Sequence, residues 1–447
     1  MKYFIYLLIL SALTIAATAQ ENIKSVNVTV YNDNLGVVRE MRVLDLAKGI
    51  SEVKITGVAA QIDPTSVHIK LNGEVIEQNY QYDLVSLYKI LQKYIDNEID
   101  IISDKDLISG TLLSVSSNSI VIKKKDGGLL LLPDFNEYQI SVKSLPEGLI
   151  TRPTLIWKVN SDKQGMQDAE LSYQTSGMNW HAEYVALLDK DDKKMDLKSW
   201  VSVENNSGAT YKDALLKLVA GEVNRVKDVL RASMDSRDYL SKAESAPMFE
   251  EKEFFEYHIY NLQKPTTINN NEIKQISLFE ADKVNITKKY IYRSYGYSGS
   301  GNISVYVEFK NEQKNNLGMP FPAGKIRMNK SDGSSVEFIG EDKIEHTSKD
   351  EKITLKTGDA FDLKAEETVK EQKRISNNVM ENTYEIKLRN HKSEDVEIEV
   401  EKYLGTNWEI LDSNFKYEKK DASTVIFKVP VKKDKEEVLT LKVRYVN

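Results

Sequence analysis

The 447-residue sequence predicts a mainly β protein, built as tandem antiparallel β-sandwich domains with one helix and a small barrel inserted among them. Three observations predict this. Apolar and polar residues alternate at period two in well-separated stretches. Val26, Val28 and Val30 alternate with Ser25, Asn27 and Thr29, and Val67, Ile69 and Leu71 with His68 and Lys70. Val396, Ile398 and Val400 alternate with Glu397, Glu399 and Glu401, and Leu439, Leu441, Val443 and Tyr445 with Thr440, Lys442 and Arg444. One apolar and one wet face is what a sandwich layer needs. The stretches are short and divided by polar turns, and no Pro-rich or Gly/Ser-rich linker interrupts them, so the domains are expected to pack end to end.

In chain order, residues 1–19 have the pattern of a signal peptide. Lys2 supplies a positive start, an apolar stretch follows, and Ala17-Thr18-Ala19 fits a small-x-small cleavage site. An N-terminal β domain is expected over 20–81. Asp83 is the expected N-cap of a helix over 84–95, whose Leu84, Leu87, Leu91 and Tyr94 share one face. Short strands follow at 99–102, 110–115, 119–124 and 128–132, the last two flanking an Asp126-Gly127 hairpin turn. This helix and its strands resemble the small SH3-like barrel of the Sm type over residues 82–143. The polar signature with which Sm proteins bind RNA is missing at Ser116-Ser117-Asn118, so the resemblance implies the shape and not the RNA binding. The helix and barrel insert is assigned to 82–147, a central sandwich to 148–376 and an immunoglobulin-like sandwich to 377–447. The central part carries a charged excursion at 221–253, where Val223, Val226 and Leu230 fall at helical spacing.

Composition excludes several chemistries. The absence of cysteine removes disulfides, thiolate metal sites, cysteine nucleophiles and a lipoprotein anchor. A formal charge of −7 argues against a nucleic-acid partner, and lysines far outnumber the 11 arginines. After signal cleavage no stretch is long and apolar enough to span a bilayer. The expected location is therefore extracytoplasmic, periplasmic or secreted.

Motifs are sparse. Gly-rich phosphate cradles, H-E-x-x-H and G-x-G-x-x-G are absent. Gly296-Tyr297-Ser298-Gly299-Ser300 approaches a serine-hydrolase elbow but has Ser where the second Gly belongs. The five histidines lie far apart in the chain. Glu341, Asp342 and His346 form the densest acidic and imidazole constellation, able in principle to hold calcium or to activate water; solvated turns are the plainer alternative, since Lys343, Lys349 and Lys352 compete for the carboxylates. Asp189-Lys190-Asp191-Asp192 lacks the glycine and distal glutamate of a calcium loop and reads as a hairpin tip. Tyr290, Tyr292, Tyr295 and Tyr297 precede a glycine-rich tip. Tyr290 and Tyr292 fit a core face, and Tyr295 and Tyr297 are the candidates for stacking on a sugar or gripping a partner. Trp180 reads as a core anchor, with Ala182 and Tyr184 on its face.

Four segments in order carry a wider resemblance. They are Leu171-Ser172-Tyr173-Gln174-Thr175-Ser176-Gly177 through Tyr184, Asn205-Asn206-Ser207-Gly208-Ala209-Thr210-Tyr211 into Gly221-Glu222-Val223, Leu317-Gly318-Met319-Pro320-Phe321-Pro322-Ala323-Gly324, and Gly340-Glu341-Asp342-Lys343-Ile344-Glu345-His346-Thr347. Together they resemble a bacterial exported family with a shared domain of unknown function, some relatives of which are labelled mucoidy-inhibitor-A-like. The resemblance implies a β-rich exported protein and transfers no cofactor or catalytic residue. The expected function is a non-catalytic binding or scaffold protein of the cell envelope, with a protein or glycan partner. The alternatives are a metal-dependent hydrolase using Glu341, Asp342 and His346, or a glycan-binding module using Tyr295 and Tyr297.

Overall fold

A computed structural model describes residues 23–102, 107–116, 118–135, 138–221, 249–254 and 257–446. The signal-like segment 1–19 and most of the charged excursion lie outside the described residues. The described residues are mainly β with a single α-helix among them, and the chain divides into two compact units.

The first unit comprises the described parts of Met1–Asn179 with Glu204–Lys217 and Pro265–Glu272. Its strands Ile23–Tyr31, Gly36–Leu46 and Gly165–Thr175 pair antiparallel. The alternation of Val26, Val28 and Val30 becomes a buried stripe, each fully buried valine contributing about 1.5–3 kcal/mol. A second sheet joins Gly49–Thr56, Thr154–Ser161 and Glu74–Gln81, with Trp157 buried and donating its ring N–H to Gln78 Oε1 at 2.9 Å.

The expected helix followed by short strands is present in this unit, with a shorter helix and one further strand. It spans Leu87–Lys93 and its N-cap is Ser86, whose hydroxyl accepts the Lys89 N–H at 3.3 Å. Leu84 is held in a parallel bridge to Ile150, so the backbone there is extended, and Asp83 pairs instead with the Lys89 ammonium at 2.7 Å. The strands Glu98–Ile102, Leu107–Ser116, Ser119–Lys124 and Leu129–Leu132 form a meander, and Gln139–Ser141 returns to lie beside the first of them. Leu91, Ile99, Leu112, Ile122 and Phe135 fill one core under the helix.

The second unit holds Trp180–Val203, Ile273–Asn447 and the described parts of Leu218–Lys264. One sheet runs Glu272–Asn285, Lys194–Asn205, Met178–Leu188, Gly324–Ser331, Val336–Ile344. Trp180, Ala182 and Tyr184 are all buried on its core face, as the alternation predicts. The other sheet has nine strands, in the order Trp408–Ser413, Lys435–Val446, Val379–Asn390, Lys352–Ser376, Gly299–Lys310, Thr287–Ser294, Val396–Tyr403, Thr424–Val431, Tyr417–Lys419. Strands from both halves of this order, Ile386 and Leu441 as well as Val400 and Phe427, share one core. The sheet therefore folds over on itself like a sandwich. Strands before residue 377 belong to that same sheet, and Lys352–Ser376 runs straight into Val379–Asn390 as a hairpin.

Among the described strands, pairings that depart from the antiparallel expectation occur in both sheets of the second unit. Met178–Leu188 runs parallel to Gly324–Ser331, and Thr287–Ser294 runs parallel to Val396–Tyr403. Period-two patterning reports which face is buried and carries no information on strand direction. At the first pair the backbones approach so closely that a Cβ on Gly324 would sit 2.0 Å from the Ala182 carbonyl oxygen.

Candidate functional site

Strands Thr287–Ser294 and Gly299–Lys310 form a hairpin, with Tyr290 opposite Val305 and Ile291 opposite Ser304. Tyr290 and Tyr292 face the core, as expected, whereas Tyr295 and Tyr297 beyond the end of the strand are 61% and 81% exposed. The tip is pinned from several sides. Gly301 lies flat on the Tyr292 ring, where a Cβ would come 2.5 Å from Cε2. Ser298 Oγ accepts the Val369 N–H at 3.0 Å, and Asn302 and Ser304 donate to Asp359 at 3.1 and 2.7 Å. The Arg293 guanidinium lies over the Tyr306 ring, 5.3 Å from its centroid, and donates to the Tyr306 hydroxyl and the Glu401 carboxylate at 2.8 and 3.0 Å. These groups enclose a cleft of about 310 Å³ with Tyr292, Tyr295, Tyr297 and Arg293 among its walls and Glu367 at its lining.

Behind the cleft lies a buried ionic network. Lys402 and Glu367 are 0% and 1% exposed and form an ion pair through Glu367 Oε1. The other carboxylate oxygen accepts from Ser294 Oγ at 2.7 Å and makes a long 3.5 Å contact with the Tyr292 hydroxyl. The Lys402 ammonium sits 3.8 Å from the centroid of the Tyr384 ring, whose hydroxyl meets Tyr445 at 3.0 Å and accepts from Asn382 at 3.0 Å. Burial lowers the Lys402 pKa despite the opposing pull of Glu367. Burial, reinforced by the neighbouring Glu367 charge, pushes the Tyr292 hydroxyl up to about 12. Burial also raises Tyr445.

No sequence motif marks the network, yet its signal is in the alternation. Lys402 continues the core phase of Val396, Ile398 and Val400, and Glu367 stands in phase with Leu363, Ala365 and Val369. Two opposite charges each standing in an apolar phase mark a buried pair.

The raised tyrosines give a testable pH dependence. Tyr292, and Tyr211 of the first unit, which burial also pushes to about 12, stay protonated where an unfolded tyrosine ionises near pH 10. The folded state then binds more protons, so stability falls as pH rises from about 10 to about 12. Urea unfolding across that interval is expected to show the decline together with delayed tyrosinate absorbance.

The other sequence candidates are placed differently. Glu341 and Asp342 are successive strand residues and point to opposite faces. Asp342 accepts the backbone N–H groups of Lys343 and Lys356 at 2.8 and 2.7 Å, Glu341 lies 3.9 Å from Lys325, and His346 Nδ1 accepts the Ala323 N–H at 3.1 Å. Among the described residues no group of three or more histidine and acidic side chains could hold a metal ion. Asp189 lies at a hairpin tip, accepting the Lys193 N–H at 2.9 Å. Ser298 is followed by a strand, so the strand–turn–helix context of a hydrolase elbow is missing there.

Residues 169–445 match the family described as a domain of unknown function, DUF4139, over more than half of the chain. The chain belongs to the DUF4139 family. The DUF4139 region contains every residue of the tyrosine cleft and of the ionic network behind it. Residues 28–99 match a second family, described as an N-terminal domain of unknown function, DUF4140. Most of the five-stranded meander falls between the two matched regions. A comparison with curated proteins finds no match. Among the described residues no helix is long and apolar enough to cross a membrane.

Proposed function

We propose that this DUF4139 protein is a non-catalytic binding protein exported to a bacterial cell envelope, and that its tyrosine cleft holds a neutral glycan. The observation that carries the reading is the pairing of two exposed tyrosines with a cleft whose charges cancel internally. The lining holds one charge of each sign, Arg293 and Glu367, and each has an ion-pair partner outside it, Glu401 (which Lys420 also meets) for the first and Lys402 for the second. Such a site has no net charge to offer an ionic ligand, while exposed aromatic faces and fixed polar groups suit the apolar faces and hydroxyls of a sugar. Its two charged side chains, Arg293 and Glu367, are committed to ion pairs, which favours rigid recognition over acid–base turnover.

Export is supported by Lys2, the apolar stretch and Ala17-Thr18-Ala19. N-terminal sequencing of protein recovered from an extracytoplasmic fraction is expected to begin at Gln20; an intact Met1 there contradicts export by cleavage. For the ligand, a glycan array probed with the full chain is expected to return neutral oligosaccharides. Retention should fall about tenfold or more in Tyr295→Ala/Tyr297→Ala, the loss of two stacking contacts of roughly 0.5–1.5 kcal/mol each. Both side chains are exposed, so the variant is expected to fold normally. Unchanged retention removes the tyrosines from the site.

A further inference from the structure

We propose that another cleft of the second unit binds a small monoanion with a compact apolar body, of the arylacetate type. It shares no lining residue with the tyrosine cleft, so it stands or falls independently of the glycan reading. Its volume is about 210 Å³, below the roughly 300 Å³ at which pockets for drug-sized molecules begin. The ligand is therefore small.

The floor is apolar, formed by Leu188, Val305, Val307, Ile339 and Ala360. At its edge stands Phe361, 87% exposed in the middle of a strand and the most exposed large hydrophobic residue described. Lys364 lies over that ring, 5.6 Å from its centroid. A phenylalanine left in water on an ordered strand forgoes most of the burial that stabilises such a side chain, and it presents a face for an apolar ligand to cover.

The charge around this floor is unbalanced. Lys288 and Lys330 both pair with Asp192, the first at 2.7 Å. Burial opposes ionisation of Asp192, but the two ammoniums outweigh it and hold its carboxyl below the usual range. Lys392 forms no ion pair among the described residues; its ammonium stands 5.8 Å from the centroid of the Tyr290 ring, which Lys288 approaches to 5.4 Å from its own side. Asp362 is the remaining carboxylate of the lining and is exposed. Three ammoniums thus face two carboxylates and leave one positive charge in excess. The Tyr290 hydroxyl is buried beside the Lys288 ammonium, which it helps to hold in the charged form. A carboxylate placed beside Lys392, with its ring on Phe361, supplies the missing charge and covers the apolar face at once.

Calorimetric titration of the full chain with phenylacetate, phenethyl alcohol and inorganic phosphate tests the assignment. Phenylacetate is expected to bind saturably, and the alcohol and phosphate each about tenfold more weakly or worse. Lys392→Met is expected to lose about tenfold for phenylacetate with no change for the alcohol, and Phe361→Ala to weaken both aromatic probes. Neither side chain belongs to the core, and an unchanged Tm verifies the fold of each variant. Tyr297→Ala is expected to leave phenylacetate binding intact. The proposal is overturned if phenylacetate fails to saturate, if the alcohol or phosphate binds as tightly, or if Lys392→Met retains full affinity.

Discussion

Lys402→Met is expected to lower the stability of the second unit by about 3–5 kcal/mol, a large share of the roughly 5–15 kcal/mol that holds a typical domain together. The methionine itself is a good fit, similar in length and apolar, among Tyr384, Val400 and the other core residues. The loss comes from Glu367, which is left charged and 1% exposed with only Ser294 and the distant Tyr292 hydroxyl to meet it. An uncompensated buried charge is far more costly than a missing buried pair. The double variant Lys402→Met/Glu367→Gln is therefore expected to recover most of the loss, because it removes both charges together. Urea unfolding of the wild type, both single variants and the double variant gives the coupling directly. Equal losses in the single and double variants contradict a strongly coupled pair.

Trp180→Ala is expected to cost about 3–5 kcal/mol. Trp180 is 1% exposed, donates its ring N–H to the Val219 carbonyl at 3.1 Å and meets the Tyr260 ring edge-on at 6.0 Å. Truncation removes the buried ring, leaves a cavity that its neighbours on a pleated sheet fill only in part, and removes the hydrogen bond to the Val219 carbonyl. Trp180→Phe separates these contributions. It keeps most of the ring burial and loses the hydrogen bond, and so should cost about 1–3 kcal/mol. Denaturant midpoints of the two variants measure the difference; equal midpoints contradict the cavity account.

The contrast between these two sites shows what was legible in the sequence. Trp180, Ala182 and Tyr184 announce their shared face by spacing alone, because a strand repeats every two residues. The same rule already forbids Glu341 and Asp342 from converging on one ion, since neighbours on a strand diverge. Phase also marks Lys402 and Glu367 as core residues, but their pairing joins strands 35 residues apart and no local pattern carries it. Strand direction is hidden for a similar reason. Val396, Ile398 and Val400 bury one face whether their neighbour runs parallel or antiparallel, and only the assembled sheet places Tyr290 beside Ile398. Tyr295 and Tyr297 were legible as candidates because they lie where the core phase stops. The cleft around them was not, since Glu367 and Arg293 reach it from different strands.

The most direct test of the central claim is a calorimetric titration of the full chain, wild type and Tyr295→Ala/Tyr297→Ala, with the neutral oligosaccharide that gives the strongest array signal. Binding at the tyrosine cleft predicts saturable binding to the wild type that is little changed by salt, because no net charge is engaged, and a dissociation constant raised about tenfold or more in the variant. Equal affinity for the two proteins, or binding that salt abolishes, would contradict it.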